Sequence, residues 1–80
     1  MRELGSPRHE FLRRLLKERR KRADLSQQEV ADRIGRGQTF VSAVERGQHR
    51  VSVLEFLDFA EAIGFDAAAA LGRVARAAKR

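Results

Sequence analysis

The 80-residue chain contains no cysteine, so its sequence excludes a disulfide framework and a zinc site built on thiolates. The two histidines, His9 and His49, lie too far apart for a metal-binding spacing. No apolar run approaches the roughly 20 residues that span a bilayer, and the N-terminus lacks the apolar segment of a signal peptide. We therefore expect a cytoplasmic protein, bacterial or phage, with no metal, cofactor or membrane partner.

Positive charge is in excess and is unevenly distributed. Lysine and arginine total 17 against 11 acidic residues, which gives a net charge of +6. Residues 1–25 hold nine basic and four acidic side chains, whereas residues 52–80 hold four of each. A concentrated positive end predicts a polyanionic partner, and charge alone suits RNA, DNA or an anionic surface equally well.

The chain contains a single proline, Pro7, so prolines do not mark most helix boundaries. Capping residues mark them instead. Ser6 and Pro7 predict a first helix over 7–22. Ser26 with Glu29 three residues later forms a capping box for a short second helix that ends at Gly35. No stretch has the alternating pattern of a strand, so the sequence predicts an all-α fold.

Three further helices follow the glycine-containing turn at 35–37. The third helix is predicted over 38–46, with Val41 and Val44 facing the core and Gly47 ending it. A second capping box predicts a fourth helix whose apolar face comprises Val53, Phe56, Leu57, Ala60 and Ile63. Asp66 is expected to cap a fifth helix over 66–80. Residues 1–80 are thus expected to form a single domain, in which 66–80 is a packing or dimerisation helix.

The segment LSQQEVADRIGRGQTFVSAVERGQ, residues 25–48, closely resembles the helix-turn-helix of lambda-repressor-like, Cro/C1-type (XRE) transcriptional regulators. Residues 52–65, SVLEFLDFAEAIGF, look like the fourth helix of that family. The resemblance implies a five-helix domain with its helix-turn-helix at 26–46. It also implies that the third helix enters the DNA major groove.

The resemblance assigns base contacts to the outward face of the third helix. Gln38 can pair bidentately with adenine, and Ala43 can touch a thymine methyl. In similar proteins the position of Gln27 meets a phosphate and supports the first residue of the recognition helix, here Gln38. The predicted base-contacting set is Gln38, Thr39, Ser42 and Ala43.

A second set is expected along the DNA backbone, where contacts position the protein without conveying sequence. Phe40 departs from the small polar residue usual in the family, and it either packs over the second helix or presses against a sugar or thymine methyl. Arg36 and Gly37 depart from the usual turn, so a side-chain cap on the third helix is lost. The predicted backbone set is Gln27, Arg19, Lys21, Arg22, Arg36, Phe40, Arg46 and Arg50.

Two architectural roles complete the predictions. Arg20 and Glu45 match positions that form a structural ion pair in similar proteins. A possible two-heptad seam for a second copy comprises Ala67, Leu71, Val74 and Ala78. A homodimer would bind an inverted repeat in double-stranded DNA, with half-sites about 34 to 36 Å apart.

Three functional hypotheses remain open on the sequence alone. The leading one is a homodimeric transcriptional regulator that acts as a repressor, because the chain carries no separate domain for contacting polymerase. The second is an antitoxin-like protein-interaction module with little DNA contact, and the third is non-specific binding of RNA or DNA. No nucleophile is paired with a base, so we expect no enzyme.

Overall fold

Five α-helices form the regular structure of residues 6–77, the part of the chain that the computed structural model describes. They are α1 (Pro7–Arg22), α2 (Gln27–Ile34), α3 (Gln38–Glu45), α4 (Val53–Ile63) and α5 (Ala67–Ala77). Within that range there is no strand, and none of the helices is long and apolar enough to cross a membrane. The predicted all-α, five-helix fold is confirmed.

Side-chain caps start these helices where the sequence places them. At α2 the Glu29 backbone N–H donates to the Ser26 hydroxyl at 3.0 Å, and Ser26 N–H donates to the Glu29 carboxylate at 2.8 Å. Ser52 and Glu55 form the same reciprocal pair at α4. Each such cap stabilises the fold by about 1 kcal/mol because it satisfies backbone donors that a helix start leaves unpaired.

The turn between α2 and α3 begins at a left-handed residue. Gly35 has φ of 81°, and the next N–H, of Arg36, returns to the Ala31 carbonyl at 3.0 Å. This hydrogen bond satisfies a carbonyl in the last turn of α2, and the left-handed glycine lets the chain turn before α3 begins. Helix α3 ends at Glu45, one residue earlier than predicted. Arg46 is its C-cap residue, and the left-handed Gly47 follows.

One apolar core joins all five helices. Ala31 is fully buried where α2 crosses α3, so its small size sets how closely the two helices approach. Val41 and Val44 are also fully buried, as predicted, and fix the inner face of α3. The core residues are Leu15, Leu16, Val30, Ala31, Val41, Val44, Phe56, Phe59, Ala70 and Val74.

The predicted inner face of α4 is partly wrong. Val53 and Leu57 are 69% and 42% exposed, whereas Phe59, which was not assigned to that face, is 1% exposed. The helix is apolar on most of its sides, so periodicity does not determine which side turns inward. Burying the ring of Phe59 removes more apolar surface from water than burying either aliphatic side chain.

The predicted dimerisation seam on α5 is not an exposed face. Val74 is buried and Ala67 packs against the core, so both residues are used within the monomer. Leu71 remains 49% exposed on the flank of the helix, and Ala78 lies outside the described residues. The alanine-rich sequence gives α5 little apolar bulk, and its few larger side chains are needed to close the domain's own core.

We predict that Gly47→Ala destabilises the protein more than Gly35→Ala does. Both glycines have positive φ, which costs an alanine about 1 to 2 kcal/mol. At Gly35 an added Cβ meets no atom within 4 Å, whereas at Gly47 it would lie 2.7 Å from Arg13 Cδ. Because Arg13 is held by hydrogen bonds, we expect an additional loss of about 1 kcal/mol or more in the free energy of unfolding, measured by urea denaturation. Equal losses in the two variants would contradict the close approach.

Candidate nucleic-acid interface

The outer face of α3 carries the predicted base-contacting residues. Burial of Val41 and Val44 turns the other sides of this two-turn helix outward. Thr39 is exposed, and Gln38, Ser42 and Ala43 are each half-buried. All four predicted residues therefore keep surface that a ligand can contact.

A chain of polar contacts connects α1 to the first residue of α3. Arg20 donates two hydrogen bonds to the Glu45 carboxylate, from Nε at 2.6 Å and from Nη2 at 2.9 Å. Gln27 Nε2 donates to the same carboxylate at 2.9 Å, and Gln38 Nε2 donates to Gln27 Oε1 at 2.6 Å. The structure thus brings together the predicted ion pair and the two amides expected to support each other.

The carboxylate at the centre of this chain fixes which way both amides point. An ionised carboxylate only accepts hydrogen bonds, so Gln27 must turn its NH₂ group towards Glu45 and its oxygen towards Gln38. Gln38 then uses one N–H on Gln27 and keeps its oxygen and its second N–H. One donor and one acceptor are what an adenine edge requires in the major groove.

Burial makes this ion pair sensitive to loss of either member. The side chains of Arg20 and Glu45 are 11% and 4% exposed. The hydrogen bonds that Arg20 donates to Glu45 hold the pKa of the Arg20 guanidinium above its ordinary value, even though burial acts in the opposite direction. A second Arg20 hydrogen bond, from Nη1 to the Leu25 carbonyl at 2.8 Å, ties the α1–α2 turn to the same pair.

Helix α1 also holds the C-terminal end of α3, through two residues to which the sequence analysis gave no role. Arg13 Nη1 donates to the Glu45 carbonyl at 2.9 Å, and the ring of buried His9 lies 3.2 Å from the Gly47 carbonyl through Nε2. Because a carbonyl oxygen only accepts, His9 is the donor. His9, Arg13 and Arg20 recur at spacings of four and seven, the one sequence signal that could have identified this polar stripe.

The two predicted contacts at the far end of α3 bind each other in the free protein. Arg46 donates to the Ser42 hydroxyl through Nη1 and to Gln48 Oε1 through Nη2 at 3.0 Å. Arg46 is exposed, so its guanidinium remains accessible to a phosphate. Because Ser42 accepts the hydrogen bond from Arg46, its own O–H donor stays available to a base edge.

Phe40 packs against Phe59 of α4 and against His49 in the free protein. Its ring centroid lies 5.9 Å from that of Phe59 and 5.0 Å from that of His49. The Arg36 guanidinium stacks over the outer face, with Cζ 3.7 Å from the ring centroid. Phe59 is buried in the core, so its ring offers Phe40 an aromatic surface on α4.

Arg36 and His49 meet at Glu55, which links the turn before α3 to the start of α4. His49 Nε2 lies 3.0 Å from Glu55 Oε1, and Arg36 Nη1 lies 3.6 Å from Oε2. Burial would raise the pKa of Glu55, but the Ser52 backbone N–H, His49 and Arg36 together lower it. Both segments that flank α3 are therefore anchored to the same carboxylate.

The basic end of α1 divides between two faces. The Arg19 guanidinium lies 5.3 Å from the centroid of Phe65, and Arg22 lines the same hollow. Lys21 instead borders a hollow that includes Ser26 and Glu29 at the start of α2. Of the three predicted backbone contacts in this tract, Lys21 alone lies beside the N-terminus of α2. Arg50 is exposed in the segment between α3 and α4.

These features define a helix-turn-helix domain, with α2 as the bracing helix and α3 as the recognition helix. A family model described as a helix-turn-helix domain matches residues 12–71. No curated protein matches the chain.

Two solved structures share the fold along most of their length. An XRE-family like protein from Pseudomonas syringae pv. tomato is 43% identical, with a TM-score of 0.81 over 85% of this chain and 83% of that one. The restriction-modification controller protein C.AhdI from Aeromonas hydrophila is 33% identical, with a TM-score of 0.66 over 76% and 86% of the respective chains. The chain therefore belongs to the XRE family of helix-turn-helix regulators, which are non-enzymatic proteins that bind DNA and regulate transcription.

We predict that Glu45→Gln lowers the free energy of unfolding by about 3 kcal/mol, because it leaves a buried guanidinium without a counter-charge. The double variant Arg20→Met/Glu45→Met should recover most of that loss, since it removes both buried charges. Thermal and urea unfolding of the two variants and the wild type provide the comparison. A double variant as unstable as Glu45→Gln would show that the loss does not come from the unpaired charge.

Proposed function

We propose that the protein binds a specific double-stranded DNA sequence as a homodimer, with α3 in the major groove, and represses transcription. The observation that carries this proposal is the outer face of α3, where Gln38 is oriented by the Arg20–Glu45–Gln27 chain. Gln38, Thr39, Ser42 and Ala43 contact base edges. A good bidentate pair supplies about 1 to 3 kcal/mol of discrimination, so each monomer specifies a short half-site.

The backbone contacts surround that face. Gln27 and Lys21 lie at or beside the N-terminus of α2, where helix N–H groups also favour a phosphate. Arg46 and Arg50 follow α3, and Arg36 precedes it, with Phe40 covered on its outer side by Arg36. Arg19 and Arg22 complete the proposed set from the more distant face of α1.

Dimerisation is proposed through an apolar patch on α4 and α5. The patch comprises Val53, Leu54, Leu57 and Leu71, which are between 42% and 73% exposed. Val53 and Leu71 border one small hollow, so the two helices contribute to a continuous surface. A second copy buries the same patch on both sides of a two-fold axis, which matches the symmetry of an inverted repeat.

The monomer's dimensions support this arrangement. Its principal extents are 35 × 24 × 20 Å, so paired copies can place two recognition helices one DNA turn, about 34 Å, apart. We propose that the protein works in the cytoplasm on chromosomal or phage DNA, and that the bound dimer blocks promoter access. The similarity to a restriction-modification controller protein supports a regulatory role.

Selection of bound duplexes from a random pool in about 150 mM salt tests the proposal. We expect the wild type to enrich an inverted repeat. Gln38→Ala should relax the preference at one base position of each half-site and weaken binding by about 1 to 3 kcal/mol per half-site. Enrichment of no sequence would favour either non-specific nucleic-acid binding or a protein-interaction module, and equal affinity for single-stranded RNA would favour the former.

Paired charge variants separate backbone contacts from net charge. Lys21→Ala and Arg76→Ala each remove one exposed positive charge, the first from the last turn of α1 and the second from the last turn of α5. We expect Lys21→Ala to weaken binding uniformly across sequences and to reduce the slope of log affinity against log salt by about 1. Arg76→Ala should leave the slope unchanged, and an equal reduction in both variants would contradict the placement of Lys21 at the duplex.

Leu54→Glu should prevent dimerisation without unfolding the monomer, because Leu54 is 73% exposed. Ala69→Glu is the matched control, because it adds the same charge on another side of α5. Ala69 is two residues from Leu71, which corresponds to about 200° around the helix. Analytical ultracentrifugation should show a monomer for Leu54→Glu and a dimer for the wild type and the control. A dimeric Leu54→Glu protein would place the interface elsewhere.

A further inference from the structure

A cationic groove lies between α1 and α5. It has a volume of about 470 Å³, and its apolar floor is mainly the half-buried Phe11 ring, because Leu15 is only 3% exposed. The Arg73 guanidinium lies at the edge of this floor, with Cζ 5.6 Å from the Phe11 ring centroid. A single acidic residue, Glu18, borders it. The basic residues on its rim are Arg14, Lys17, Lys21 and Arg73.

This groove opens away from the recognition helix. His9 and Arg13 contact the end of α3, and Phe11 is two residues from each of them. Two residues correspond to about 200° around a helix, so the floor of the groove and the α3 contacts occupy opposite sides of α1. DNA in contact with α3 therefore does not occupy the floor of the groove.

The rim of the groove carries more positive than negative charge. Arg14 and Lys17 are neighbours on the surface of α1, and Lys21, which is proposed above as a DNA-backbone contact, lies one turn further on. The ion pairs between residues 6 and 77 involve Arg13, Arg20, Arg36 and His49, and none involves Arg14 or Lys17. Glu18 lies four residues from Arg14 and offsets part of this charge, and the remaining positive charge favours an anionic ligand.

The floor of the groove determines which anion fits. A phosphate backbone offers charge but no apolar surface for the half-buried Phe11 ring. An amphipathic helix with acidic residues beside apolar ones offers both, in the manner of helix-in-groove recognition. From Phe11 to Lys21 the groove follows α1 for about 15 Å, which matches three turns of such a helix. We propose that this groove binds an acidic amphipathic helix of a partner protein while α3 remains free for DNA.

A fluorescent peptide of about 14 residues provides the probe, with glutamates and leucines on adjacent sides of one designed helix. Fluorescence polarisation should show that the wild type binds it. We expect Arg14→Gln/Lys17→Gln to weaken binding at least about tenfold, because both charges are on the rim. The matched variant Arg33→Gln/Arg76→Gln removes two exposed charges that do not line the groove, and it should change the affinity less than about twofold. Thermal melts of both variants check that the fold is intact.

Three outcomes would overturn the inference. The first is no binding by the wild type, and the second is an equal loss in both double variants. The third is equal binding of a peptide with the same composition but no amphipathic face, since the affinity would then depend on net charge alone. A 20-base-pair duplex added to the complex should raise the polarisation further, as both ligands bind together. Displacement of the peptide by the duplex would instead assign the groove to nucleic acid.

Discussion

The Glu45 carboxylate is the contact on which the geometry of the interface depends. It is 5% exposed as a residue, it is the last residue of α3, and it accepts hydrogen bonds from α1 and from α2. Removing a carboxylate from water is costly, and the cost is offset only when its oxygens are well paired. Glu45 meets this condition with three side-chain donors, from Arg20 and Gln27. Among residues 6–77 no buried side-chain nitrogen or oxygen lacks a hydrogen-bond partner.

Because the same carboxylate joins three helices, it links stability to recognition. The valines of α3 set how deeply the helix sits, but apolar packing has no direction of its own and tolerates small rotations. The Glu45 contacts, together with those of His9 and Arg13 to backbone carbonyls, are directional and fix the helix about its axis. The position of Gln38 at the α3 end of this chain is therefore a property of the whole three-helix unit.

Local signals predicted most of the fold. Ser26 and Ser52 marked helix starts, Gly35 marked a stop, and the spacing of Val41 and Val44 gave the inner face of α3, because each depends on residues close in sequence. The family resemblance of residues 25–48 located the helix-turn-helix and the ion pair. Sequence-based prediction is strongest at positions where local folding and function both require the same residue.

The errors arose where several burial patterns were compatible with one sequence. α4 is apolar around most of its surface, so only packing against the other helices selected Phe59 over Leu57. On α5 the Ala67 and Val74 spacing suits either a second copy or the domain's own core, and the monomer uses both residues. His9 and Arg13 were overlooked because their partners, the Gly47 and Glu45 carbonyls, lie far away in sequence, where periodicity carries no information.

The separation of α3 into a buried side and an outer side has a consequence for evolution and engineering. Thr39, Ser42 and Ala43 are not part of the apolar core, so under the proposed function changes there would alter which DNA is bound while the scaffold tolerates them. Gln38 is different, because its amide is also the last link of the chain from α1. Retargeting the protein to new operators is therefore a matter of varying three positions freely and a fourth only together with Gln27.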